Sequence, residues 1–103
     1  MFNIFNNENK RHYNVINNKL REIESLVDTF SDIYESGANK QICLLMLDNL
    51  KTEVDILLQL IHEREYTEQA DYYLKGEKMN VLQLEIFFFS MLSGVEELIN
   101  KRD

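Results

Sequence analysis

No proline occurs anywhere in the 103 residues, and three stretches carry apolar side chains at alternating steps of three and four. The first runs Tyr13, Ile16, Leu20, Ile23, Val27, Phe30, Tyr34. The second runs Cys43, Leu47, Leu50, Val54, Leu57, Ile61, and the third Val81, Leu84, Phe88, Met91, Val95, Leu98. Such spacing lays one apolar seam along one side of a helix, and a seam of that length has to be covered by other helices. The expected fold is therefore all-α: an antiparallel helical bundle of three long helices within a single domain spanning 1–103.

Turn residues set the boundaries. The first helix is expected over about 8–36, ended by Gly37, with residues 1–7 a flexible N-terminus. Asn39 then offers an N-cap for a second helix over about 40–75. The seam of that helix loses phase after Ile61, because its next positions are Arg64 and Glu68. A break is expected near 66–67, capped by Thr67, with a short helix onward to Lys75. Gly76-Glu77-Lys78 reads as the second turn. Asn80 and Gln83 stand in capping-box relation at the start of a third helix over 80–102.

A connection as short as Gly37-Ala38 makes the first two helices antiparallel neighbours. Charge agrees with that. The first helix carries Lys10, Arg11, Lys19 and Arg21 early and Glu24, Asp28, Asp32 and Glu35 late, against its own macrodipole at both ends. Folded at Gly37-Ala38, residue i faces roughly residue 75 − i, which sets Arg11 near Glu63 and Glu65, and Arg21 near Glu53 and Asp55. The third helix, folded back in turn, is expected to meet the second at roughly residue 154 − i and to reach only to about Thr52.

The single Cys43 cannot form an internal disulfide and sits on the second seam, as a small buried thiol in a reducing compartment would. The start of the chain lacks the basic region and apolar run of a signal peptide. No apolar stretch approaches the roughly 18 residues of a membrane span. A cytoplasmic protein is expected, of a bacterium or of a cell that a virus has entered. The asparagine-rich start hints at an AT-rich genome, such as that of a low-GC bacterium or its phages. The net charge of −7 argues against direct binding to nucleic acid, where Lys and Arg must neutralise phosphates. It suits a basic protein partner.

Signs of chemistry are sparse. His62-Glu63-Arg64-Glu65, with Glu8 and His12 across the hairpin, invites a metal reading. Helical metal sites, however, use Glu-x-x-His, and here Gln59 and Asn9 occupy the positions three residues before the two histidines. There is no Gly-rich phosphate loop, and no serine has a nearby histidine as base. Gly94, inside the third helix, reads as a point of close helix packing. No metal, cofactor or catalysis is expected. A helical-hairpin secretion substrate of this length would carry Trp-x-Gly in its central turn; this chain has no tryptophan, and a third helix follows.

The remaining reading is a non-catalytic acidic protein-binding module, such as a phage or mobile-element regulator or inhibitor of a host or defence protein. A nucleic-acid mimic and an assembly or secretion chaperone are the alternatives. Tyrosine set among acids is a composition that binding hot spots use, and on that basis Glu63, Glu65, Glu68, Asp71 and Tyr72 are the expected partner surface. Six consecutive apolar residues, Ile42 to Leu47, crowd the part of the second helix that the third is not expected to reach. A homodimer joined there, through Phe30, Ile33, Leu44 and Leu45, is expected.

Overall fold

A computed structural model describes the backbone of residues 2–102 and the side chains of residues 7–102. Helix α1 spans Phe2–Glu35, α2 Lys40–His62 and α4 Val81–Asn100; between the last two lie a single turn of helix, α3 (Glu65–Glu68), and two short strands, β1 (Tyr72–Leu74) and β2 (Glu77–Met79). The molecule is an all-α bundle of three long helices, 59 × 22 × 19 Å in extent. Helix α1 starts at Phe2 rather than near Glu8, and so takes in residues 2–7.

The helical periodicity of the apolar residues is the pattern of the core. All six seam residues of α2 are buried, against Ile16, Leu20, Ile23 and Phe30 of α1 and Val81, Leu84, Phe88 and Val95 of α4. The exception is at the end of α4, where Leu98 is 43% exposed and Ile99 is buried in its place. A strict seven-residue rhythm drifts by about 20° per heptad on a straight helix, enough to carry Leu98 off the core and bring Ile99 onto it.

The turn between α1 and α2 is the expected one. Gly37 takes φ +90°, and the Asn39 side chain accepts from the Ile42 amide at 3.0 Å. The helices run antiparallel: Arg64 donates to Asn9 at 3.3 Å, and Lys19 pairs with Glu53 at 2.7 Å. The ion pairs across this interface are not those expected. Arg11 and Arg21 are exposed on the outer side of α1, whereas Lys19, at the edge of the apolar stripe that faces α2, reaches Glu53. His12 takes the place beside Glu63, at 3.8 Å.

The greatest departure lies after Ile61. Helix α2 stops at His62 rather than near Tyr66, and Arg64 is extended (φ −138°, ψ 139°) before α3 begins. Thr67 does secure this break, but as a buried side chain that closes the end of α2, not as the N-cap of a following helix. Its hydroxyl lies 2.7 Å from the Ile61 carbonyl and 3.0 Å from that of Arg64, two acceptors sharing one proton. The segment expected to be helical up to Lys75 is instead a β-hairpin with Tyr72 opposite Met79 and Leu74 opposite Glu77. Its two-residue turn is Lys75-Gly76, one residue earlier than expected, with φ of +51° and +82°. Positive φ at both central residues is the I′ turn that matches strand twist. Burial alternates along Tyr72, Tyr73 and Leu74 (in, out, in), as a strand requires and a helix does not.

Helix α4 opens with the Asn80–Gln83 capping box and returns along α2. Lys51 meets Glu96 at 3.4 Å and His62 meets Glu85 at 3.1 Å, so α4 lies several residues further along α2 than expected. Its end reaches the α1–α2 turn: the Arg102 guanidinium donates to the Ala38 carbonyl at 2.8 Å and lies over the Tyr34 ring, 3.7 Å from its centroid. The Tyr34 hydroxyl donates to the Leu98 carbonyl at 3.1 Å. The compact hairpin accounts for the offset, since it reverses the chain within a few residues. Helix α4 thus reaches the stretch of α2 expected to lack it, where Cys43, Leu47 and Leu50 are buried while Ile42, Leu44 and Leu45 stay exposed.

Candidate functional site

The acidic segment that follows α2 wraps around the break and forms one end of the molecule. Glu63, Glu65, Glu68 and Asp71 are exposed, as a partner surface needs. Tyr72 is not. It is fully buried, donates its hydroxyl to the Thr67 carbonyl at 2.7 Å and stacks on Tyr13 with centroids 5.2 Å apart. Burial, reinforced by the neighbouring Tyr13 and Tyr66, pushes its phenol above the usual tyrosine range. Tyr72 therefore lies beneath the surface, and the outward tyrosines are its neighbours Tyr66 and Tyr73.

Those two, with Tyr13, Gln69, Ala70 and Asp71, line an open concavity of about 560 Å³ between α1, α3 and β1. The Tyr13 hydroxyl donates to the Asp71 backbone carbonyl at 2.6 Å, which ties the hairpin to α1 and fixes the far wall. Tyr13 comes from a position 58 residues before Asp71, and no local sequence signal connects the two.

Most of the acids here are engaged. Glu68 accepts from His62 Nδ1 at 2.9 Å and Glu85 from Nε2 at 3.1 Å, so a proton on each ring nitrogen satisfies both. The bond to Glu68 leads in holding His62 protonated above the ordinary histidine range, with burial opposing and Glu85 adding to it. Asp71 faces Lys78 at 3.4 Å. On the opposite side, His12 Nε2 lies 2.6 Å from the Leu60 carbonyl, which can only accept, so that nitrogen carries a proton. These placements bear on the metal reading. The two carboxylates at His62 sit on opposite ring nitrogens and do not converge, and His12 Nε2 is turned to a carbonyl. Among the described residues no three of His, Cys, Asp and Glu gather as a metal site would need.

A second concavity, of about 280 Å³, is apolar and lies between α1, β1 and α4. Ile23, Val27, Leu74, Phe87, Phe88 and Met91 line it, with Glu24 and Lys75 also at its wall. It exists because α4 packs on α2 and stays further from α1 along this stretch.

The four residues expected to mediate self-association differ in exposure. Phe30 is buried against Tyr34, Ile33 is half-buried, and Leu44 and Leu45 are exposed, Leu45 by 69%. Cys43 beside them is fully buried. Gly94 has nothing within 4 Å of where a Cβ would stand, so no close helix approach within the chain requires it.

Among the described residues no helix is long and apolar enough to cross a membrane. No family model matches the chain, and neither a curated relative nor a solved structure does.

Proposed function

We propose that the chain is a small acidic protein-binding module that acts without catalysis, a regulator or inhibitor of the kind carried by phages and mobile elements, working in the cytoplasm of a bacterium or host cell. The observation that carries this reading is the tyrosine-lined concavity at the end of α2. Tyr66 and Tyr73 stand outward over a floor made rigid by the Tyr13–Tyr72 stack, with Asp71 within it and Glu63, Glu65 and Glu68 on the adjoining chain. Tyrosine brings a large contact area at low side-chain entropy, and a pre-set floor lowers the ordering cost of association. The acids make a basic protein surface the matching partner.

The nucleic-acid mimic is less well supported, since phosphate imitation calls for free carboxylates in a row. Here Glu68 is turned to His62 and Asp71 to Lys78. A chaperone for assembly or secretion draws support from the apolar groove of about 280 Å³, which would hold an apolar segment of its client.

Affinity capture from a low-GC bacterial lysate on the immobilised full chain, in low and high salt, tests the proposal. It requires a basic protein whose capture weakens with salt and is lost in Tyr66→Ala/Tyr73→Ala. Capture indifferent to that double substitution rejects the tyrosine surface. Salt-resistant capture lost on Phe87→Lys points to the groove instead.

A further inference from the structure

Helix α4 is unusual in this acidic chain for what its outward side lacks. Between Val81 and Gly94 the only ionised side chain is Glu85, and it is held inward by His62. Outside the core stripe, Leu82, Ile86 and Phe89 recur at steps of four and three and are 67%, 57% and 54% exposed. They form one stripe pointing away from α1, distinct from the groove that Phe87 and Met91 line and from the exposed Leu45 on α2.

We infer that this stripe is covered by a second copy of the same chain, α4 against α4, antiparallel about a two-fold axis at Ile86. Charge selects the occupant. At −7 the chain repels a copy of itself over most of its surface, and an uncharged face is where that repulsion is least. A basic partner, which suits the acids around α3, gains nothing here. Symmetry fits as well. With Ile86 on the axis, Leu82 lies opposite the partner's Ser90, large against small, and Ile86 meets its own copy, so one patch is its own complement. Extent agrees with both. At these exposures, and at about 200 Å² for a whole large apolar side chain, the three residues uncover roughly 700 Å² across two copies. That is close to half of a standard interface before Gln83, Ser90 and Ser93 at the rim are counted.

Sedimentation of the full chain from micromolar to about 100 µM tests this. The mass should rise to twice the 12.3 kDa of one chain. Ile86→Glu sets two carboxylates face to face at the axis and should weaken the dimer by at least about tenfold. Leu45→Glu, on a different face, should leave the dimer intact. A single-chain mass throughout overturns the inference, as does a dimer that survives Ile86→Glu. If Ile86→Glu loses its helical circular dichroism, Ile86→Cys decides: a residue on the two-fold axis meets itself, so oxidation should give a covalent dimer. Failure to cross-link overturns the pairing.

Discussion

Thr67→Val is the sharpest probe of the feature that shapes the functional end of this molecule. The substitution keeps the branched shape and removes only a hydroxyl, from a side chain that is fully buried. In the parent chain that hydroxyl lies 2.7 Å from the Ile61 carbonyl, on the last turn of α2. Arg64, the second carbonyl within its reach, already accepts from the Glu68 amide at 3.0 Å, so Ile61 is the group left without a donor. A buried acceptor stripped of its partner costs about 1–3 kcal/mol. For a domain of about 100 residues each kcal/mol moves the melting temperature by about 4–8 °C, so a mid-range 2 kcal/mol lowers it by roughly 8–16 °C. Thr29→Val is the matched control, since Thr29 makes the same kind of bond to the Ser25 carbonyl (2.9 Å) but on an exposed face, where water replaces it. The assay is thermal unfolding followed by circular dichroism. A Thr67→Val midpoint within about 2 °C of the parent would refute the claim that this hydroxyl closes the helix.

Two further outcomes follow from the same region. The folded state holds His62 protonated above the ordinary histidine range, so its contribution to stability is full below an unfolded pKa of about 6.5 and fades as pH rises through the folded value. The ring is nearly half exposed, and screening keeps the effect small; urea midpoints at pH 6 and pH 8.5 should differ in the parent and converge in His62→Gln. Lys75 adopts φ +51° at the first central position of the I′ turn, where asparagine is preferred, so Lys75→Asn should raise stability by about 0.5 kcal/mol. Its exposed contact with Asp28, at 3.8 Å, adds little, and an unchanged or lower melting temperature would count against the turn assignment.

The three long helices were legible because each repeats one simple pattern over many turns. Six α2 seam residues on one rhythm leave no other reading, and Gly37, Asn39 and the Asn80–Gln83 pair mark ends through local chemistry. The hairpin was hidden by its brevity. A strand of three residues shows only one in-out-in alternation, and Tyr72-Tyr73-Leu74 can be fitted to a helix as readily. That miss spread outward, because the hairpin's compactness sets where α4 lies on α2. It also decides which tyrosine faces in. The acids of the candidate surface were readable as a local run, whereas Tyr13, which meets them from 58 residues away, became visible only with the fold.

The clasp at the far end, where Arg102 bonds to Ala38 and Tyr34 to Leu98, bears on the order in which the chain assembles. Both contacts join residues 64 apart in sequence, whereas the α1–α2 turn and the Lys75-Gly76 turn each close over a handful of residues. Loop closure over long separations carries the greater entropy cost, so the two hairpins are expected to form first and the clasp last. Contacts made after the transition state govern unfolding and leave the folding rate alone. Arg102→Ala should accordingly speed unfolding in stopped-flow denaturant jumps while refolding keeps its parent rate, and a slowed refolding limb would place the clasp in the nucleus.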